Sequence, residues 1–233
     1  MIDPLRDLAS VHEATERLLI AAAELDNAAV SEPSRLPGWS RGHVLAHVAR
    51  NADALVNALE GRPMYPSGEA RKADIERDAP RPLGAQLDDV RESGARFRTV
   101  AAGQDAVEGG WDRTVELRNG VTDTASRVPF RRLVEVELHH VDLGIGYELE
   151  DLPGSFTERE IDFLTRRFAG HADVPATTVV ADDGRTWDTG GGADGAAVTV
   201  TGSPADLLGW LAGRRDGATL KASGGTLPAL PPL

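Results

Sequence analysis

The sequence predicts an all-helical part and a mixed part: a four-helix bundle over residues 1–150, then a smaller α+β domain over 151–233. Three observations carry that prediction. Up to about Glu150 the apolar residues recur at three- and four-residue spacing in four long segments, the mark of helices that bury one face. After "ELEDLPGS" the pattern changes to short alternating runs set around turn signals. The two regimes meet near residues 147–155, and no internal repeat links them.

The elements follow in order. "LRDLASVHEATERLLIAAAELD" reads as a first helix with one apolar face. "LPGWS" breaks the chain, and Ser40 is the N-cap expected for a second helix from Arg41 to Glu60. "SGEARKADIERDA" reads as a shorter, more exposed helix, and "RPLGAQLDDVRESGARFRTVAAG" as a third long one. "TVELRNGVTDT" alternates around Asn119-Gly120, a hairpin-type turn. The fourth long helix is expected from near Ser126 to Gly144, with Pro129 tolerated in its first turn. In the second part, "FTEREIDFLTRRFAG" is a helix, "ATTVVADDGRTWDT" two strands around an Asp-Gly turn, and "AAVTVTG" another strand. "SPADLLGWLAGRR" is a helix capped by Ser203 with Pro204 in its first position, and the Pro-rich close "GGTLPALPPL" is expected to stay irregular.

Composition narrows the function. A net charge of -12 argues against nucleic acid or an anionic membrane as partner, since both recruit clustered positive charge. No apolar run is long enough to span a bilayer, and the acidic start "MIDPLRDLAS" does not resemble a signal peptide, so a cytoplasmic location is expected. Cysteine is absent, which excludes disulfides, thiolate-held zinc and a protein thiol nucleophile. Any metal must sit on His, Asp or Glu, and any sulfur chemistry needs a thiol from outside.

The stretch "EVELHHVDLG" offers such donors. Helical residues advance about 100° each, so Glu135, His139 and Asp142 fall within roughly 60° of one another, beside the apolar stripe of Val134, Leu138 and Val141. His140 and Glu137 point away from that edge. On the second helix His43 and His47 lie one turn apart, and His47 is nearer the stripe of Val44, Leu45, Val48, Ala52 and Leu55, among the small or short groups Asn51, Ala54 and Ala58. Bundle metal sites use inward side chains on facing helices. The candidate ligands are therefore His47, Glu135 and His139, with His43 placed either to support them from behind or to meet a cofactor or substrate. Two histidines and one carboxylate with an open position form a catalytic zinc pattern that also suits another divalent metal such as iron. The competing reading is structural: a lone His beside a helix core is more often a hydrogen-bonded core residue, and a His/Glu pair at this spacing is commonly an exposed helix pair. His12 and His171 have neither a suitable partner nor a suitable position.

"LPGWSRGHVLAHVARNADAL" followed by "EVELHHVDLG" resembles the mycothiol-dependent maleylpyruvate isomerase family of DinB-like metalloproteins. The likeness continues through "MYPSGEARKADI", "LRNGVTDTAS" and "GSPADLLGWLAGRRDG", and so covers nearly the whole chain. It implies a DinB-like bundle with zinc on His47, Glu135 and His139, mycothiol as the external thiol, and functional arginines at Arg71 and Arg214, the latter also at the cofactor. Arg215 adjoins Arg214, and without the resemblance both Arg71 and Arg214 read as solvated helix-end arginines. The implied reaction is conversion of maleylpyruvate to fumarylpyruvate in aromatic degradation, by reversible addition of a thiolate. A mycothiol S-transferase, conjugating the thiol to an electrophile, is the alternative. A zinc-binding interaction protein is a third reading, weakened by the lack of a cysteine switch. The expected partners are a small-molecule substrate and mycothiol, on a monomer or homodimer.

Overall fold

The computed structural model describes residues 2–193 and 197–232, and these divide into two compact units, Met1–Tyr147 and Glu148–Leu233. In the first unit, Asp3 accepts from the Arg6 N–H at 3.0 Å and starts helix α1, Pro4–Ala22, with Pro4 in its first turn. A four-residue helix α2, Asn27–Val30, follows. Helix α3, Arg41–Leu59, begins at Ser40, whose side chain accepts from the His43 backbone N–H while the His43 ring accepts from the Ser40 N–H. This is a capping box in which histidine takes the usual Glu position. Helix α4, Gly68–Asp78, is capped by Ser67, and α5, Leu83–Ala102, follows Pro82. The short strands β1, Thr114–Glu116, and β2, Thr122–Thr124, pair antiparallel across a turn in which Asn119 and Gly120 adopt left-handed φ of 62° and 73°. Helix α6, Val128–Asp142, is preceded by one 3₁₀ turn and carries Pro129 in its own first turn.

The four long helices α1, α3, α5 and α6 pack as a bundle in which α1 and α3 each lie against both α5 and α6. Leu18, Val44, Leu45, Val90, Phe97 and Val136 fill its centre. Helix α6 differs from its neighbours because it is buried on nearly all sides: Glu137 and His140 are buried as deeply as its apolar stripe. They do point away from the Glu135/His139 edge, into a second polar cluster. There Arg17 and the Tyr147 hydroxyl donate to the Glu137 carboxylate at 2.6 and 2.9 Å, and the Tyr147 ring stacks on His140.

The junction of α3, α4 and α5 is held by charge. The buried Asp78 carboxylate receives two bonds from Arg77 at 2.9 Å and faces Arg50 at 3.5 Å and Arg81 at 3.9 Å. Burial alone would raise the pKa of Asp78, but these arginines together hold it below the ordinary carboxylate value. Asp78→Asn is expected to cost about 1–3 kcal/mol at neutral pH. Because the folded pKa lies below the unfolded one, that stability is complete above about pH 4 and is lost as the pH falls through the folded value. Urea midpoints at pH 7 and pH 3 check this: the gap between parent and variant must narrow in acid.

In the second unit, helix α7, Gly154–Phe168, precedes strands β3, Thr177–Ala181, β4, Thr186–Thr189, and β5, Val198–Gly202. Helix α8, Pro204–Leu211, is capped by Ser203, and β6, Lys221–Ser223, completes a sheet of order β4-β3-β5-β6. Pairing is antiparallel except between β3 and β5, where Val179 lies opposite Val200. The two helices pack on each other, α7 against β4 and α8 against β3 and β5. Sequence patterning did not signal β6: its three exposed residues carry no apolar alternation, and pairing with β5 supplies its order. Beyond it the described tail is irregular. Ala196, at the start of the expected strand "AAVTVTG", and the last residue of the tail lie outside the described residues. Among the described residues no helix is long and apolar enough to cross a membrane.

Candidate metal centre

Helices α3 and α6 face each other, and the turn-by-turn register of each sets the site. The second turn of α3 presents His47, while Glu135 and His139 stand one turn apart on α6. The His47 and His139 rings meet edge to face, at 89° with centroids 4.6 Å apart. Their Nε2 atoms converge on one oxygen, Glu135 Oε2, at 3.0 and 3.3 Å. The three donor atoms lie within 4.8 Å of one another, the one such grouping of His, Asp or Glu among the described residues. Both histidines are buried, but the Glu135 side chain is 33% exposed, so the grouping opens to the outside on its carboxylate side.

The chemistry of these donors fits a divalent cation. Burial lowers the pKa of His47 to about 4, against the pull of Glu135, so its imidazole is neutral at physiological pH. Burial works against the ionised Glu135, yet hydrogen bonds from His139 and His47 outweigh it and hold the carboxyl well below its usual range. His139 Nδ1 lies 2.8 Å from Asp142 Oδ2. Burial lowers the pKa of His139, but its bonds to Asp142 and Glu135 raise it overall. An Asp on the far nitrogen is the arrangement that fixes a ligating histidine with Nε2 turned inward. In the sequence Asp142 shares the helix edge of Glu135 and His139, and its i+3 spacing from His139 is the signal for this supporting role.

Around the three donors the structure adds groups that patterning did not reveal. Arg132 is fully buried on α6 and donates to Val48 O and Asn51 Oδ1, both at 2.8 Å; burial lowers its pKa to about 10. Trp39 approaches His47 edge-on at 5.5 Å and stacks on His43 at 6.1 Å. Arg71 donates to His47 Nδ1 at 3.1 Å and lies over the Tyr65 ring at 5.8 Å. A guanidinium only donates. With Arg71 on it, Nδ1 must therefore carry the lone pair, and Nε2–H must donate to Glu135.

The other expected residues are placed as follows. His43 stands outside the three-donor grouping, with Nδ1 at 2.7 Å from Ser40 Oγ and Nε2 at 3.3 Å from Glu76. Arg214 belongs to the second unit, where it follows α8 and donates to Ala212 O at 2.8 Å. Its neighbour Arg215 is committed to Asp206 and Glu150 at 2.7 and 2.8 Å. His12 meets Arg98 on the bundle surface, and His171 accepts a local backbone bond from Asp173.

The family model described as the mycothiol maleylpyruvate isomerase N-terminal domain matches residues 11–144, and that described as the MDMPI C-terminal domain matches residues 151–232. No curated protein matches the chain. Among solved structures, the crystal structure of the mycothiol-dependent maleylpyruvate isomerase is 28% identical, with a TM-score of 0.88 over 99% of this chain and 97% of that one. A histidine-to-alanine mutant of that isomerase gives 27% identity, the same TM-score and the same coverage.

Proposed function

This chain belongs to the mycothiol maleylpyruvate isomerase family, and on that premise we propose that it converts maleylpyruvate to fumarylpyruvate by zinc- and mycothiol-dependent cis–trans isomerisation. The observation that carries the reading is the convergence of His47, Glu135 and His139 in a chain without cysteine. Those side chains would hold zinc, or another divalent metal that accepts two imidazoles and a carboxylate. A cation held there would favour the thiolate form of a bound thiol. Mycothiol, when bound, would supply the sulfur nucleophile for reversible addition to one alkene carbon, a cycle with no net change in atoms or electrons.

The chain's own groups prepare that event. Glu135 stays ionised and His47 neutral, the forms in which each donates an electron pair. Asp142 keeps His139 from rotating. Trp39 and the buried flank of α3 limit water on the His47 side. Arg71 is the cation proposed for the substrate carboxylate and for the negative charge that grows on the substrate during addition, since a planar fork suits both. Arg214 is proposed for the same charge or for the cofactor, and His43 for the cofactor.

Zinc-loaded protein is expected to form fumarylpyruvate from maleylpyruvate only when mycothiol is present. Arg71→Ala should lower kcat/KM by about a hundredfold. An S-transferase acting on neutral electrophiles predicts turnover insensitive to that change. Absence of product with zinc, substrate and mycothiol together would refute the isomerase reading.

A further inference from the structure

Next to Arg71 the first unit holds a cavity of about 420 Å³ between the segment before α4 and the tip of the β1–β2 hairpin. Its polar lining includes Tyr65, Ser67, Arg71, Glu116, Arg118 and Asn119. Both walls are pinned. Asn57 donates to Met64 O at 3.3 Å, and the Arg118 backbone N–H donates to Met64 Sδ at 3.1 Å, which ties the hairpin to the loop. The left-handed Asn119 and Gly120 reverse the chain directly after Arg118.

The cavity sets two guanidiniums in an acidic chain. Acidic residues outnumber Lys and Arg by 37 to 25, and many arginines elsewhere find carboxylates, as Arg50, Arg81, Arg96, Arg131 and Arg215 do. Arg71 and Arg118 do not. Arg71 bonds the ring of His47, not a carboxylate, and among the described residues the Arg118 guanidinium has no hydrogen bond or ion pair. The carboxylate present, Glu116, is on the exposed face of β1, where solvent screens it. Burial raises the pKa of the Tyr65 hydroxyl, which keeps it a donor. Two uncompensated guanidiniums and a phenol in one preformed cavity make a receptor for an anion, and the planar fork favours carboxylate.

We propose that this cavity is the subsite for the carboxylate remote from the reacting alkene, and that Arg118 makes the enzyme select a dicarboxylate over a monocarboxylate. The assignment rests on the isomerase reading for its substrate but on the cavity for its ligand. Arg71, shared by the cavity and the metal centre, joins the two ends of one substrate.

The test compares the parent with Arg118→Gln and Arg118→Lys, all zinc-loaded, after equal melting temperatures have been verified. With maleylpyruvate and mycothiol, Arg118→Gln should raise KM at least about tenfold while kcat stays within about threefold, and Arg118→Lys should recover part of the loss. Calorimetric titration with acetopyruvate, whose carboxylate matches the remote one, should weaken by a similar factor in Arg118→Gln, whereas its ethyl ester should bind parent and variant alike. If KM and acetopyruvate affinity are both unchanged, the subsite is wrong and the isomerase reading stands. If the parent isomerises nothing yet binds acetopyruvate through Arg118, the subsite stands and the reaction assignment falls. A parent with no turnover and no acetopyruvate binding overturns both.

Discussion

Replacing His139 with alanine is expected to yield a folded protein that retains almost no zinc after dialysis and has lost at least about a thousandfold in isomerisation, equivalent to about 4 kcal/mol of transition-state stabilisation. The argument is local. His139 Nε2 supplies one of three donors around Glu135 Oε2, and no other His, Asp or Glu side chain among the described residues joins that grouping. Two remaining donors, His47 and Glu135, leave too few ligands for a stable site. Asp142→Asn should behave more mildly, since it leaves all donors in place and removes the charge behind one; a loss of about 10- to 100-fold in metal affinity is expected. Metal content by mass spectrometry, with a competing chelator for affinity, separates the two variants. If the His139 variant still carried one tightly bound zinc, the donor set would be wrongly assigned.

A large stability effect is expected at Gly42, in the first turn of α3. A Cβ there would stand 2.1 Å from Ala79 O and 2.8 Å from Val30 Cγ1. The nearer atom is backbone, and it cannot swing aside because Gln86 Nε2 holds it at 2.9 Å while also bonding Asp78 O and Gly42 O. Gly42→Ala must therefore push α3 away from the α4–α5 junction, at about 3 kcal/mol, or a fall in Tm of about 6–12 °C for a chain of this size. Gly84→Ala is the control, because its Cβ would meet nothing within 4 Å and alanine favours helix. Calorimetry on both distinguishes the clash from a general intolerance of helical glycines.

Much of this was legible in the sequence because helices translate spacing into direction. Glu135 and His139 share one edge, His47 lies at the margin of the α3 stripe, and the caps Ser40 and Ser203 stand where the helices begin. Spacing fails where packing is two-sided. Helix α6 meets α1 on one flank and α3 on another, so Glu137 and His140 are buried although they lie off its stripe. Arg131 and Arg132 are adjacent and chemically identical, yet the first pairs with Asp123 and the second is enclosed in the bundle. Only the position of the facing helix separates them. The Arg71–Arg118 cavity joins residues far apart in sequence across a loop and a hairpin tip, a meeting that no local pattern encodes.

The bond from Arg71 to the ring of His47 carries one last implication. A neutral imidazole has a single hydrogen to place, and an ion on Nε2 obliges it to sit on Nδ1, where the arginine would then face hydrogen instead of an acceptor. Cation and guanidinium are thus rival tenants of one ring. A cation at Nε2 would cost Arg71 its acceptor on this ring, leaving the Tyr65 ring and the cavity beside it as its surroundings.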